Sequence, residues 1–302
     1  MTTMTNGAVR LTDWGVIRAH GEEAAKFLHS QLTQDFALLG TEQARFAGFC
    51  TAKGRLLATM IGWKAGDDAA ASDTILLALP LELLPAVLKR LSMFVLRAKC
   101  KLTDATADVG LWGVIGANDA APAWSLRREG EHTLIRLPDD GTRGRWLLVA
   151  PAATTPNLPV ISAGDWQWSQ LEAGLPGVVG ATVEQFVPQM LNLELLGGVN
   201  FQKGCYPGQE VVARSQYRGT LKRRTYLFET DGTAAPGQEI FHSEDPGQPA
   251  GLVANTAHRG AQSLLLAETK IAALASGSLH LGAPDGPLLR PRALPYALSE
   301  AE

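Results

Sequence analysis

Residues 200–214 read Asn-Phe-Gln-Lys-Gly-Cys-Tyr-Pro-Gly-Gln-Glu-Val-Val-Ala-Arg, gathering a thiol, an ammonium, a phenol and a Gln-Glu pair into a short stretch. A cysteine placed as Cys205 is beside Lys203 can gain thiolate character, the form that attacks electrophiles and ligates metals. Gly204 and Gly208 let backbone N–H groups approach a ligand closely, and Pro207-Gly208 marks a turn. If an extended segment follows, Gln209 and Glu210 face opposite sides of it. Thiol exchange, or transient ligation of a soft metal, is within reach of such a loop. No histidine lies within one or two positions of Cys205, so a protease-type Cys/His pair finds no support in the local sequence. The competing reading is a tight turn between strands that carries an inert, buried cysteine.

Three further groups carry possible chemistry. Arg214, Arg218, Lys222, Arg223 and Arg224, interleaved with Tyr217, could bind nucleic acid, clamp the carboxylates of a small ligand, or blunt a solvated strand edge. Glu172 stands before the Gly174-Leu175-Pro176-Gly177 turn, where a carboxylate could accept two parallel hydrogen bonds from an aminopyrimidine edge. Trp166, Trp168, Phe186 and Phe201 could wall a flat heterocycle, or simply fill the core. Asp139-Asp140 resembles a carboxylate dyad, but Pro-Asp-Asp-Gly is first of all a turn.

The elements that position these groups follow from periodicity. Strands are expected at 13–19, 44–50, 56–63, 74–79, 99–104, 109–115, 133–137 and 145–149. Helices are expected from 24 to about 33, over 81–92 and over 165–174, the last capped by Ser162 or Asp165. A polar, alanine-rich loop covers 66–72. From Lys222 the pattern changes to short strands at 225–229, 239–241, 251–255 and 263–267, separated by Gly/Pro/Asp turns, which argues a small antiparallel barrel or sandwich. The last dozen residues read as an extended tail.

The 302 residues, 46% apolar and 19% charged, suit a globular protein of two or three packed units. A net charge of −3 gives no global pull toward nucleic acid or membrane. Neither a secretory leader nor a transmembrane run is visible, and three widely spaced cysteines without a CxxC fit reduced thiols in the cytoplasm better than zinc. No GxGxxG, P-loop or G-x-S-x-G occurs.

Asn192-Leu193, Gly197-Gly198-Val199-Asn200-Phe201 and Lys203-Gly204-Cys205-Tyr206-Pro207-Gly208-Gln209-Glu210 resemble the signature of the YgfZ family, folate-binding proteins related to the aminomethyltransferase (T-protein) of the glycine cleavage system. The likeness extends to Gln31-Leu32-Thr33-Gln34-Asp35, Lys53-Gly54-Arg55 and Glu172-Ala173-Gly174-Leu175-Pro176. It implies an α+β fold: a three-subdomain cloverleaf around a central channel for tetrahydrofolate or a derivative, with residues 1–220 as two interwoven α+β subdomains and 221–302 as an antiparallel β-barrel. It also implies support of iron–sulfur enzymes as clients, one of which thiomethylates tRNA, by a monomer that needs no direct nucleic-acid contact and no membrane. Cys205 and Lys203 take the family's functional positions, and Glu172 the place of a pterin-binding carboxylate. Lys203, Tyr206, Gln209, Arg214 and Arg218 complete the candidate folate set. The transferases carry an acidic pair after the hairpin glycine, where this chain has Ala58-Thr59. That departure favours an accessory protein over a folate-dependent one-carbon transferase.

Overall fold

The computed structural model describes residues 6–66, 73–217 and 221–298. Most of the loop expected at 66–72 lies outside them, as does Arg218.

The first sheet is built from β2 (Trp14–His20), β3 (Ala44–Cys50), β4 (Leu56–Lys64), β5 (Thr74–Pro80) and β6 (Lys101–Asp104), in the order β3-β4-β5-β2-β6. Its interior strand β4 reads Leu-Leu-Ala-Thr-Met-Ile-Gly-Trp and is buried throughout that run. Both of its faces are covered, so the period-2 alternation of a half-wet strand is absent. Helix α1 (Ala24–Gln31) buries Ala24, Phe27 and Leu28 at helical spacing, and helix α2 (Leu84–Val95) buries Leu84, Val87 and Leu91. Pro85 sits in the first turn of α2, where its missing N–H costs nothing.

The chain begins in the second sheet. β1 (Gly7–Arg10) joins β7 (Val109–Ala117), β8 (Leu126–Glu129), β9 (His132–Leu137) and β10 (Arg143–Pro151), in the order β1-β7-β10-β9-β8. Because β1 precedes the first sheet in sequence, the two sheets are interleaved along the chain, and one apolar core runs through both. The turn between β9 and β10 is a turn, as its sequence suggests. Asp139 Oδ1 accepts from Gly141 N at 2.7 Å and Asp140 Oδ1 from Thr142 N at 2.9 Å, while Arg136 and Arg143 neutralise the two carboxylates.

Helix α3 (Ala163–Glu172) wedges between the second sheet and the C-terminal strands. Ser162 is its N-cap, accepting from Asp165 N at 3.0 Å. Beyond it, β11 (Arg223–Asp231), β12 (Glu239–His242), β13 (Asp245–Arg259), β14 (Gln262–Lys270), β15 (Leu279–Leu281) and β16 (Leu288–Arg292) close a barrel with a core of its own. β16 corrects the expected tail. Residues 291 and 292 belong to a strand that pairs Leu227 with Arg292 and Phe228 with Pro291, sealing the barrel against β11. Proline hides this strand from sequence, because it cannot donate to a ladder and normally argues against one.

Candidate functional site

The 200–214 stretch docks onto two earlier pieces of chain. Gly208 adopts φ +82°, and a Cβ there would stand 2.4 Å from the carbonyl oxygen of Thr51, so the loop packs backbone to backbone against the β3–β4 hairpin. Lys203 ties the loop to α1. Its Nζ donates to the carbonyls of His29, Leu32 (3.1 Å) and Gly204 (3.2 Å), two of which close the C-terminal end of that helix. A cation there meets carbonyls that have no helical donor. The ammonium also lies 4.7 Å from the centre of the buried Tyr206 ring. Burial pulls the Lys203 pKa down to about 8, against the opposing charges of Asp35 and Cys205. Cys205 itself is exposed. Burial pushes the other two thiols up, Cys50 to about 12 and Cys100 to about 11, which leaves Cys205 as the accessible sulfur.

Beside the loop stands an imidazole. His29 Nδ1 and Asp35 Oδ1 are 2.9 Å apart, and His29 Nε2 lies 3.3 Å from where a Cβ on Gly204 would be. Asp35 also accepts from Leu38 N at 3.0 Å. Its carboxyl stays below the usual range although burial pushes the other way, because the backbone N–H of Leu38 and the His29 ring stabilise the anion.

A cavity of about 790 Å³ opens elsewhere, between the first sheet, α3 and the barrel. Phe46, Met60, Leu81, Trp166, Leu171 and Leu175 supply its apolar walls, and Asp13, Thr59, Glu82, Gln167, Gln170 and Asn255 its polar points. Several of these are already engaged. Thr59 Oγ1 accepts from Val178 N at 3.2 Å, Glu82 Oε1 from Gly180 N at 2.8 Å and Asn255 Oδ1 from Gly177 N at 2.8 Å. The side chains of Asp13, Gln167 and Gln170 have no hydrogen-bond partner among the described residues. Size and lining suit a drug-sized heterocycle bound by apolar walls and a few polar groups.

No protein-family model matches the chain. Among solved structures, the glycine cleavage aminomethyltransferase T from Bartonella henselae superposes with a TM-score of 0.75 over 97% of this chain and 87% of its own, at 15% identity. That likeness shows the α+β fold with its closed barrel. Among curated proteins, the tRNA-modifying protein YgfZ of Escherichia coli O157:H7 is 31% identical over 75% of this chain and 72% of its own length. The YgfZ protein of Photorhabdus laumondii is 30% identical over 78% and 74%. The chain belongs to the YgfZ family.

The YgfZ signature and the cavity are two separate places in the fold. Lys203, Cys205, Tyr206, Gln209 and Arg214 do not line the cavity, and neither does Glu172. The Glu172 carboxylate accepts from Arg143 at 3.2 Å and lies 3.7 Å from Arg292, an ion-paired position between β10 and β16. The segment after the turn is not extended: Gln209–Tyr217 forms helix α4, which places Glu210 one turn from Arg214 in an exposed pair at 3.2 Å. The helix-forming run from 209 and that i,i+4 pair outweigh the two valines. The basic stretch is also dispersed. Arg223 pairs with Glu268, and the buried Arg224 with Glu194 at 2.7 Å and Asn192 at 3.1 Å. Of the four aromatics, Trp166 reaches the cavity, Trp168 and Phe186 are core, and Phe201 packs edge-on against Tyr217. Sequence reasoning missed Asp13, Gln167, Gln170 and the His29–Asp35 pair. The spacing of Gln167 and Gln170, polar at i and i+3 beside the buried Trp166 and Leu171, was the available signal for the first site.

Proposed function

We propose that the chain binds tetrahydrofolate, or a close derivative, in the cavity between the first sheet, α3 and the barrel. It acts as an accessory protein for iron–sulfur enzymes, among them one that thiomethylates tRNA, with Cys205, outside that cavity, as its reactive group. The observation that carries the folate reading is the cavity itself: about 790 Å³, apolar-walled, with the amides of Gln167 and Gln170 and the Asp13 carboxylate unpartnered. A carboxamide presents an acceptor and two donors side by side, complementary to the amino-oxo edge of a pterin. Asp13 would take the ring's N–H donors. Phe46 and Trp166 would cover its faces, and Leu171 and Leu175 would keep water from the edge. The names of the YgfZ relatives support a tie to tRNA modification.

Methylene transfer is the weaker reading. Thr59 lines the cavity where the transferases carry a carboxylate, and its hydroxyl is already bonded to Val178 N.

Calorimetric titration of tetrahydrofolate tests the proposal. Wild type is expected to bind, and Gln170→Ala to weaken binding by about 1–1.5 kcal/mol, the scale of a neutral hydrogen bond. Glu172→Ala is expected to leave affinity unchanged, because its carboxylate is held by Arg143 and Arg292 outside the cavity. Absence of binding to wild type would remove folate from the reading. Affinity lost with Glu172→Ala and kept with Gln170→Ala would move the pterin to the opposite face of the last turn of α3.

A further inference from the structure

The loop that carries Cys205 faces an imidazole that the local sequence gives no reason to expect. We infer that His29, oriented by Asp35, is the proton acceptor for the Cys205 thiol, an inference that rests on the reading of Cys205 as the reactive group. The pieces come from three segments. His29 lies in the last turn of α1, Asp35 follows four residues after that helix, and Gly204-Cys205 arrives from much later in the chain, tethered by the Lys203 ammonium to the carbonyl of His29 itself.

An ionised carboxylate only accepts, so the 2.9 Å contact with Asp35 puts the ring's proton on Nδ1 and leaves the Nε2 lone pair free. Nε2 has no hydrogen-bond partner among the described residues, and a Cβ on Gly204 would stand 3.3 Å from it. Cys205 is the next residue along the loop, its Cα about 3.8 Å from that of Gly204. Glycine at 204 keeps the approach open.

The charged groups in contact with His29 are Asp35, from the segment after its helix, at the ring, and Lys203, from the loop, at the carbonyl. Glu23 and Lys26 on α1 itself pair with each other at 3.7 Å. In the step, the Sγ–H bond breaks, an Nε2–H bond forms and the sulfur keeps the electron pair. The total charge is unchanged. Asp35 offsets the imidazolium through Nδ1–H, and the Lys203 ammonium faces the thiolate. A base oriented by a third group activates a nucleophile by taking its proton.

Iodoacetamide alkylation of the full chain from pH 5.5 to 9, followed at the Cys205 peptide by mass spectrometry, tests this independently of folate or any client. Cys50 and Cys100 stay silent in that range because burial raises both. Wild type is expected to show a limb of reactivity below pH 8 that His29→Gln removes. The rate at pH 6.5 should fall about a hundredfold, the low end for loss of a general base. Asp35→Asn, which keeps the ring's contact but not the charge, should lower the same limb to a smaller extent. His29→Asn serves as the second variant, and circular dichroism establishes that each is folded. Folded His29→Gln and His29→Asn proteins with the wild-type rate and pH profile would overturn the inference. A Cys205→Ser chain that fully restores a strain lacking this protein would instead remove the thiol from the proposed function, and the His29-dependent limb would still stand.

Discussion

The Lys203 ammonium is bound by three carbonyl oxygens and an aromatic face, with no carboxylate in contact. Its charge is therefore incompletely compensated for the loss of water, and the pKa falls to about 8 from the ordinary lysine value of about 10.5. The folded-state value lies below the unfolded one. Between about pH 8 and 10.5 the unfolded chain thus binds more protons, and the stability contributed by this site rises with pH through that window. Below pH 8 the full cost is present. Urea unfolding of wild type and Lys203→Met isolates the effect from Tyr206, whose raised pKa acts in the opposite direction at high pH. The difference between the two proteins should move in favour of wild type by up to about 3 kcal/mol from pH 8 to 10.5, at 1.36 kcal/mol per unit. A difference that stays flat across that range would mean the ammonium is solvated and the loop sits away from α1. At this scale Lys203 fixes the loop as much as it assists the thiol.

At the scale of elements, the YgfZ signature is a device for seating one loop on a hairpin and a helix end. Gly208→Ala tests that seating. The substitution meets both a left-handed backbone, about 1–2 kcal/mol for an L-residue, and a Cβ 2.4 Å from Thr51 O. It should cost at least about 2 kcal/mol in urea unfolding. Arg214→Ala, which removes only the exposed pair with Glu210, should cost less than about 0.5 kcal/mol. Equal effects would show that the loop is not held by backbone contact with the hairpin. The contrast also explains what was legible in the sequence. Strands such as Ala44–Cys50 and Leu56–Lys64 announce themselves because their buried apolar runs end in Thr51-Ala52-Lys53-Gly54-Arg55, a turn with a mechanism. Helix α4 does not announce itself, because Val211 and Val212 favour strands locally, while the charge pair along it acts only in the helical form. His29 and Asp35 were invisible as a pair, since a contact across a helix end has no periodicity. Glu172 sits in a recognisable motif, but its partners Arg143 and Arg292 are distant in sequence, and only the fold reveals that its carboxylate is occupied.

Across the whole molecule, the cavity belongs to no single sheet. Thr59 and Met60 come from β4, Gln167 and Gln170 from α3, and Asn255 and Thr256 from β13 of the barrel. Asn255 already bridges the parts, accepting from Gly177 N in the segment that follows α3. A ligand held there must touch the first sheet, α3 and the barrel at once, and its binding energy becomes coupling between them. At a hundredfold excess over its dissociation constant, tetrahydrofolate should raise the unfolding free energy by about 2.7 kcal/mol, provided it binds only the folded chain. How that energy is distributed is the sharper prediction. Amide hydrogen exchange should slow in β4, in α3 and also in the β13–β14 ladder around Asn255, because opening the barrel away from α3 would expose the ligand. Asn255→Ala should reduce the protection that reaches the barrel more than it reduces protection in β4, since it removes the bond that joins them. Protection confined to β4 and α3 in the wild type would place the ligand against the first sheet alone, with the barrel a passive neighbour. Protection in all three makes the barrel a working wall of the site.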